Sequence, residues 1–191
     1  MTSLNSIINR IKQEGNWSLF VDRDGVVNER IVDDYVKHID DFSFIKGVQN
    51  AFSIFATYFH PIILVTNQQG IGKGLMTEDQ LNTIHNYMSA KIGEQGGKLN
   101  GIYYCGDLAN SGSKNRKPEI GMALKAKKDF PSIDFSRSLM LGDSYSDMQF
   151  GKKAGMTTIF INTDKHQNLN YASIDYVCAS LESFAHQLSQ S

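Results

Sequence analysis

Cysteine is scarce in this chain. Cys105 and Cys178 are the only two among 191 residues. They lie far apart and match no disulfide or zinc framework, so two reduced thiols of a cytoplasmic protein are expected. No apolar run reaches the roughly 18 residues that read as a membrane-spanning helix. The start, Met1-Thr2-Ser3-Leu4-Asn5, lacks the basic region and apolar stretch of a secretory signal. Charge of one sign is missing as well. A formal net charge of −1 provides no basic surface for nucleic acid or an anionic membrane. The histidines, His38, His60, His85, His166 and His186, are scattered without metal-ligand spacing and read as surface or structural residues. No internal repeat, low-complexity tract or linker divides the chain, so one domain over residues 1–191 is expected, and a monomer by default.

What is present is an apolar fraction of 41 %, enough for a sizeable core, and an alternation of two periodicities. Leu4, Ile7, Ile8 and Ile11 recur at helical spacing, as do Val48, Ala51, Phe52, Phe55 and Phe59, and then Leu81, Ile84, Met88 and Ile92. Thr77-Glu78-Asp79-Gln80 reads as a capping box. Between these helices fall short apolar runs at 18–21, 61–66, 102–104, 138–141 and 157–161, with a further short run at 174–178. Pro118 suits the first turn of a helix. Gly155 closes the one that starts near Asp147, and Leu181, Phe184 and Leu188 mark a last helix. Strands alternating with helices predict an α/β fold: a Rossmann-like three-layer sandwich around a parallel sheet, without a large cap domain. Residues 22–46 remain as a long polar loop, a length that is usually functional or carries structure of its own.

Polar groups sit at the ends of three of these runs. Asp22-Arg23-Asp24-Gly25 follows Leu19-Phe20-Val21, Thr66-Asn67 follows Ile62–Val65, and Gly142-Asp143 follows Leu139–Leu141. In a parallel sheet all three ends meet at one edge, where open α/β folds bind ligands. An Asp-Gly turn accounts for Gly25 and in part for Asp24. It leaves unexplained why Asp22 and Asp143 both end strands, and crowded carboxylates there call for a cation or a proton. An EF-hand is excluded, because its glycine belongs at the sixth position of the loop and here it is the fourth, after a strand. The loop Thr66-Asn67-Gln68-Gln69-Gly70-Ile71-Gly72-Lys73-Gly74 is glycine-rich but is no P-loop, since the required first glycine falls on Asn67.

The stretch Asp22-Arg23-Asp24-Gly25-Val26-Val27-Asn28 resembles the first motif of the haloacid dehalogenase superfamily. Thr66, Lys117 and Gly142-Asp143-Ser144-Tyr145-Ser146-Asp147 follow in the order of its other motifs, and the likeness spans residues 18 to about 162. The resemblance implies a magnesium-dependent phosphomonoesterase. By it, Asp22 is the nucleophile that forms an aspartyl-phosphate. Asp24 is the general acid and base. Mg²⁺ is held by Asp22, Asp143 and the backbone carbonyl of Asp24. Thr66, Asn67 and Lys117 bind the transferring phosphate. Asp147 orients Lys117 or a metal-bound water, or simply caps its helix.

Arg116-Lys117-Pro118 is similar to the branch that contains sugar bisphosphatases, histidinol phosphatases and polynucleotide 3′-phosphatases. The loop Asn67-Gln68-x-Gly70-Ile71 followed by Lys73-Gly74, together with Asn28 and Tyr35-Val36, resembles the heptose bisphosphate phosphatases among them. That likeness implies hydrolysis of the C7 phosphate of D-glycero-D-manno-heptose 1,7-bisphosphate, in nucleotide-activated heptose synthesis. It makes Asn28, Gln68, Lys73 and Arg116 substrate contacts, with Arg116 suited to a second phosphate. Many members bind zinc before Arg-Lys-Pro through three cysteines and a histidine. Here Cys105 stands alone before Arg116, so a short loop without zinc is expected. The partner expected is a small sugar phosphate, with neither nucleic acid nor membrane involved. Histidinol phosphate or another small phosphate is the alternative substrate. A phospho-accepting receiver-like signalling domain is the alternative of another class.

Overall fold

The computed structural model describes residues 4–161 and 171–190; His166 lies outside them. Its elements alternate as the periodicities predict: α1 (Leu4–Glu14), β1 (Trp17–Val21), α2 (Val48–Tyr58), β2 (Phe59–Asn67), α3 (Glu78–Glu94), β3 (Gly101–Cys105), α4 (Gly121–Asp129), β4 (Ser138–Gly142), α5 (Tyr145–Ala154), β5 (Thr157–Ile161), β6 (Tyr176–Cys178) and α6 (Leu181–Gln190). The strands form one six-stranded sheet in the order β3-β2-β1-β4-β5-β6. Every pairing is parallel. The order reverses between β1 and β4, and the crevice at such a reversal is where doubly wound sheets bind ligands.

Alternate strand residues supply the two faces. Leu19, Val21, Leu64, Leu139 and Leu141 pack with the buried stripes of α1, α2, α3 and α6. Phe20, Ile63, Val65 and Met140 pack with Met122, Ala123 and Ala126 of α4 and Phe150 of α5. Because both faces are covered, the strands read as continuous apolar runs rather than as alternating ones. The stripe Phe52-Phe55-Phe59 is core, and Phe55 meets Phe184 of α6 with ring centroids 5.7 Å apart. Among the described residues no helix is long and apolar enough to cross a membrane.

Two boundaries differ from expectation. Strand β2 starts at Phe59, ahead of Pro61. An interior strand tolerates proline only where the ladder is interrupted, and the β1–β2 register shifts between Trp17 and Leu19, opposite this point. Helix α4 starts at Gly121, so Pro118 is not in its first turn. The backbone of Lys117 is engaged by the side chain of Asn67 instead, which takes the segment before Gly121 out of the helix. The loop 22–46 does carry structure: a short 3-10 turn at Ile39–Asp41, bridges of Asn28 to Asp24 and Phe44, and buried Val26, Val27, Val36 and Phe42.

Candidate active site

Adjacent strands set the first contact. The backbone N–H of Asp22 donates to the carbonyl of Leu141 (2.9 Å), extending the β1–β4 ladder by one residue beyond β1. That holds Asp22 at the end of β1, beside the end of β4 and Asp143. The turn after Asp22 is tight: the Arg23 carbonyl accepts from the N–H groups of Val26, Val27 and Asn28, and Gly25 N–H donates to the Asn28 carbonyl at 2.7 Å. Gly25 has φ +85°, and a Cβ there would overlap the Asp143 carboxylate, so only glycine lets the two loops close on each other. A Cβ on Gly142 would likewise overlap the Asp147 side chain.

Asp147 comes from the first turn of α5. One of its oxygens accepts from the N–H and hydroxyl of the N-cap residue Ser144, completing a capping box. The other lies 2.6 Å from Nζ of Lys117. Capping the helix and holding the lysine are thus tasks of the same carboxylate. Lys117 Nζ also donates to Asp22 Oδ1 (2.6 Å) and to the Val65 carbonyl (2.8 Å), so two hydrogen bonds and the ion pair with Asp147 hold the ammonium. Burial alone would push this ammonium down. The Asp147 and Asp22 charges outweigh it, so its pKa is raised and the charge is kept.

Oxygens of Asp22, Asp143 and Asp147 lie within 4.8 Å of one another. Burial, reinforced by the Asp147 charge, raises Asp22 to about 7 against the opposing pull of Lys117. Burial also raises Asp143 to about 6, against the opposing charge of Arg30. Carboxylates whose ionised forms are this disfavoured, packed this closely, fit a hard divalent cation with oxygen ligands.

Asp24 is held quite differently. Nη2 of Arg23 reaches both of its oxygens (2.9 and 3.0 Å), Nε reaches Oδ1 (3.2 Å), and Asn28 Nδ2 (3.0 Å) and Gln68 Nε2 (2.7 Å) donate as well. Burial would raise its pKa, but the Arg23 charge and these hydrogen bonds prevail and leave it lowered. Arg23 is fully buried. Its Nη1 lies 3.2 Å from Nε2 of the buried His85.

A cavity of about 530 Å³ opens over this edge, a size suited to a small ligand. Asp22, Asp24, Thr66, Asn67, Lys73, Arg116, Lys117 and Asp147 line it, with Arg30 and Tyr35. Lys73 Nζ sits 5.3 Å from the centre of the Tyr35 ring, and Arg116 Nη1 donates to the Asp107 carbonyl at 3.3 Å. Asn28 and Gln68 are not in the lining. Both are buried behind Asp24, where they hold its carboxylate, and Gln68 also donates to Thr66 Oγ1 at 2.8 Å. Arg23, Arg30 and His85 are the participants that sequence reasoning missed. Their partners are fixed by tertiary contact, and no spacing signals them.

A Mg²⁺-type oxygen cluster, a buried lysine and a strand-end carboxylate at the turning point of a parallel sheet define a class: the haloacid dehalogenase-like hydrolases, to which this chain belongs. The family model described as HAD-hydrolase-like matches residues 114–184. Within that class, two relatives are named for the two anomers of one heptose bisphosphate. The chain is 36% identical over 163 residues (81% of this chain, 85% of the relative) to D-glycero-beta-D-manno-heptose-1,7-bisphosphate 7-phosphatase of Photorhabdus laumondii. It is 38% identical over 151 residues (78% and 85%) to D-glycero-alpha-D-manno-heptose-1,7-bisphosphate 7-phosphatase of Campylobacter jejuni. Its structure is similar to the crystal structure of D,D-heptose 1,7-bisphosphate phosphatase from B. bronchiseptica complexed with magnesium and phosphate. That likeness has a TM-score of 0.80 and 29% identity, and covers 91% of this chain and 98% of the other.

Proposed function

We propose that this protein is a magnesium-dependent phosphatase that removes the C7 phosphate of D-glycero-D-manno-heptose 1,7-bisphosphate, in nucleotide-activated heptose synthesis. The observation that carries the reading is the Asp22, Asp143 and Asp147 cluster closed by Lys117 under the cavity. Membership of the hydrolase family leaves the receiver-like alternative without support. The names of the relatives favour the heptose substrate over histidinol phosphate. In this reading the whole chain is one hydrolase domain, cytoplasmic and monomeric, and its buried free thiols Cys105 and Cys178 fit that setting.

Asp22, Asp143 and the Asp24 carbonyl would hold the metal, which supplies charge neutralisation for the phosphoryl group. Asp22, whose ionised form Lys117 favours against burial, attacks phosphorus, and the bond to the sugar oxygen breaks. Asp24 gives that oxygen a proton. Water then attacks the aspartyl-phosphate, Asp24 takes its proton, and inorganic phosphate leaves with Asp22 restored. The resting contacts of Asp24 favour its ionised form, which suits the second half. An incoming phosphate raises its proton affinity by like-charge repulsion, which suits the first. Thr66, Asn67 and Lys117 flank the phosphoryl group, and Lys73 and Arg116 face the far end of the substrate.

Phosphate release from both anomers of the heptose bisphosphate, beside histidinol phosphate, tests the reading. A kcat/KM about a hundredfold higher for one heptose anomer, roughly 2.7 kcal/mol of discrimination, is expected. EDTA stops the reaction and Mg²⁺ restores it. Equal, slow rates on every substrate would overturn the heptose assignment.

A further inference from the structure

Arg30 takes no part in the chemistry above, yet it occupies a telling place. Its Nη2 donates to Asp143 Oδ1 at 3.0 Å and to the backbone carbonyl of Asp24 at 3.2 Å. These are two of the three oxygens that the proposed function gives to magnesium, and the inference rests on that reading. One guanidinium nitrogen bridges both. Arg30 lines the cavity, whereas Asp143 does not: the arginine stands between this carboxylate and the open site. Its partner is 113 residues away in sequence, so the contact is a product of the fold and not of local helix geometry.

We infer that Arg30 is a tethered cation that seals the metal site in the metal-free protein and must be displaced when magnesium binds. Of the three carboxylates in the cluster, Lys117 pairs with Asp22 and Asp147 and not with Asp143. Without a metal, the guanidinium supplies the missing positive charge. Mg²⁺ held by these two oxygens would compete with Nη2 for the space between them, since that one nitrogen contacts both. The two cations also repel each other. Arg30 is suited to leave, because its side chain is 54% exposed against 14% for Asp143, so the released guanidinium is readily hydrated. The consequence is a weaker apparent affinity for magnesium than the bare oxygen set would give.

The test is titration of the whole protein with Mg²⁺ alone, by calorimetry, in wild type, Arg30→Gln and Arg30→Ala. Both variants are expected to bind magnesium about three- to fivefold more tightly, as suits the loss of one exposed ion pair. In wild type, the Arg30 Nη–H resonances are expected to shift from a bonded to a hydrated position during the titration. Unchanged or weaker affinity in both variants, or an Arg30 signal indifferent to magnesium, overturns this inference and leaves the phosphatase reading intact. Failure of wild type to bind magnesium at all overturns both.

Discussion

The side-chain amide of Asn67 grips the Lys117 backbone on both sides: Oδ1 accepts from its N–H at 3.0 Å, and Nδ2 donates to its carbonyl at 3.1 Å. This joins the end of β2 to the turn before α4 and aims Lys117 at Asp22. Asn67→Ala removes both bonds and leaves part-buried backbone groups unpaired, at about 1–3 kcal/mol of stability. If Asn67 acts by placing Lys117, kcat falls about ten- to a hundredfold with little change in KM. A rise in KM at constant kcat would instead limit Asn67 to its contact with the bound phosphate.

Asp22 and Asp24 differ in what their removal does to the fold. Asp22 is held where its ionised form is disfavoured. Asp22→Asn should therefore cost little stability in the metal-free protein while lowering phosphate release by about 10⁴-fold or more. Thermal unfolding beside a turnover assay reads both. Turnover at the wild-type level would remove the covalent route.

Asp24 is the counter-charge of a fully buried arginine. Asp24→Asn leaves Arg23 with neutral acceptors only, the new amide oxygen and His85 Nε2, and breaking a buried pair in this way costs about 3–5 kcal/mol. It should also slow turnover about 10²- to 10⁴-fold through lost proton transfer. Urea unfolding and steady-state kinetics on the same sample separate the two losses. A variant as stable as wild type would mean that Arg23 has another partner.

Much of the arrangement is legible in the sequence because it follows from strand ends. Apolar runs ending in Asp22, Thr66 and Asp143 place those residues at one edge once the sheet is parallel, and β1 lies beside both β2 and β4. The capping box at Thr77 is local, and it forms as read. What is not legible depends on which way a side chain turns after the chain has folded. Asn28 and Gln68 have the residue type of sugar contacts, yet both turn inward to Asp24. Arg30 shows no pattern with Asp143, because their meeting depends on two loops closing over Gly25. Pro118 suits a turn as well as a helix start, since either place asks only that its nitrogen need no hydrogen-bond acceptor.

The histidine behind Arg23 leads to a prediction about acid. His85 Nε2 faces the guanidinium, so in the neutral ring it accepts and the proton resides on Nδ1. Protonating Nε2 would bury a second positive charge against the first. Burial, then the Arg23 charge, depress the imidazole to about 3, with Asp24 opposing only in part. The ordinary value, near 6.5, applies in the unfolded chain. Between these two values the unfolded state takes up a proton that the folded state refuses. The neutral ring's contribution is therefore complete above about pH 6.5 and is lost as pH falls toward 3, by up to about 1.4 kcal/mol per pH unit. Glutamine can still accept from Arg23 but does not titrate. Between about pH 7.5 and pH 5, wild type should lose up to about 2 kcal/mol more than His85→Gln in urea unfolding. Parallel losses in the two proteins would show that His85 is charged in the folded state, and with it that Nε2 does not accept from Arg23.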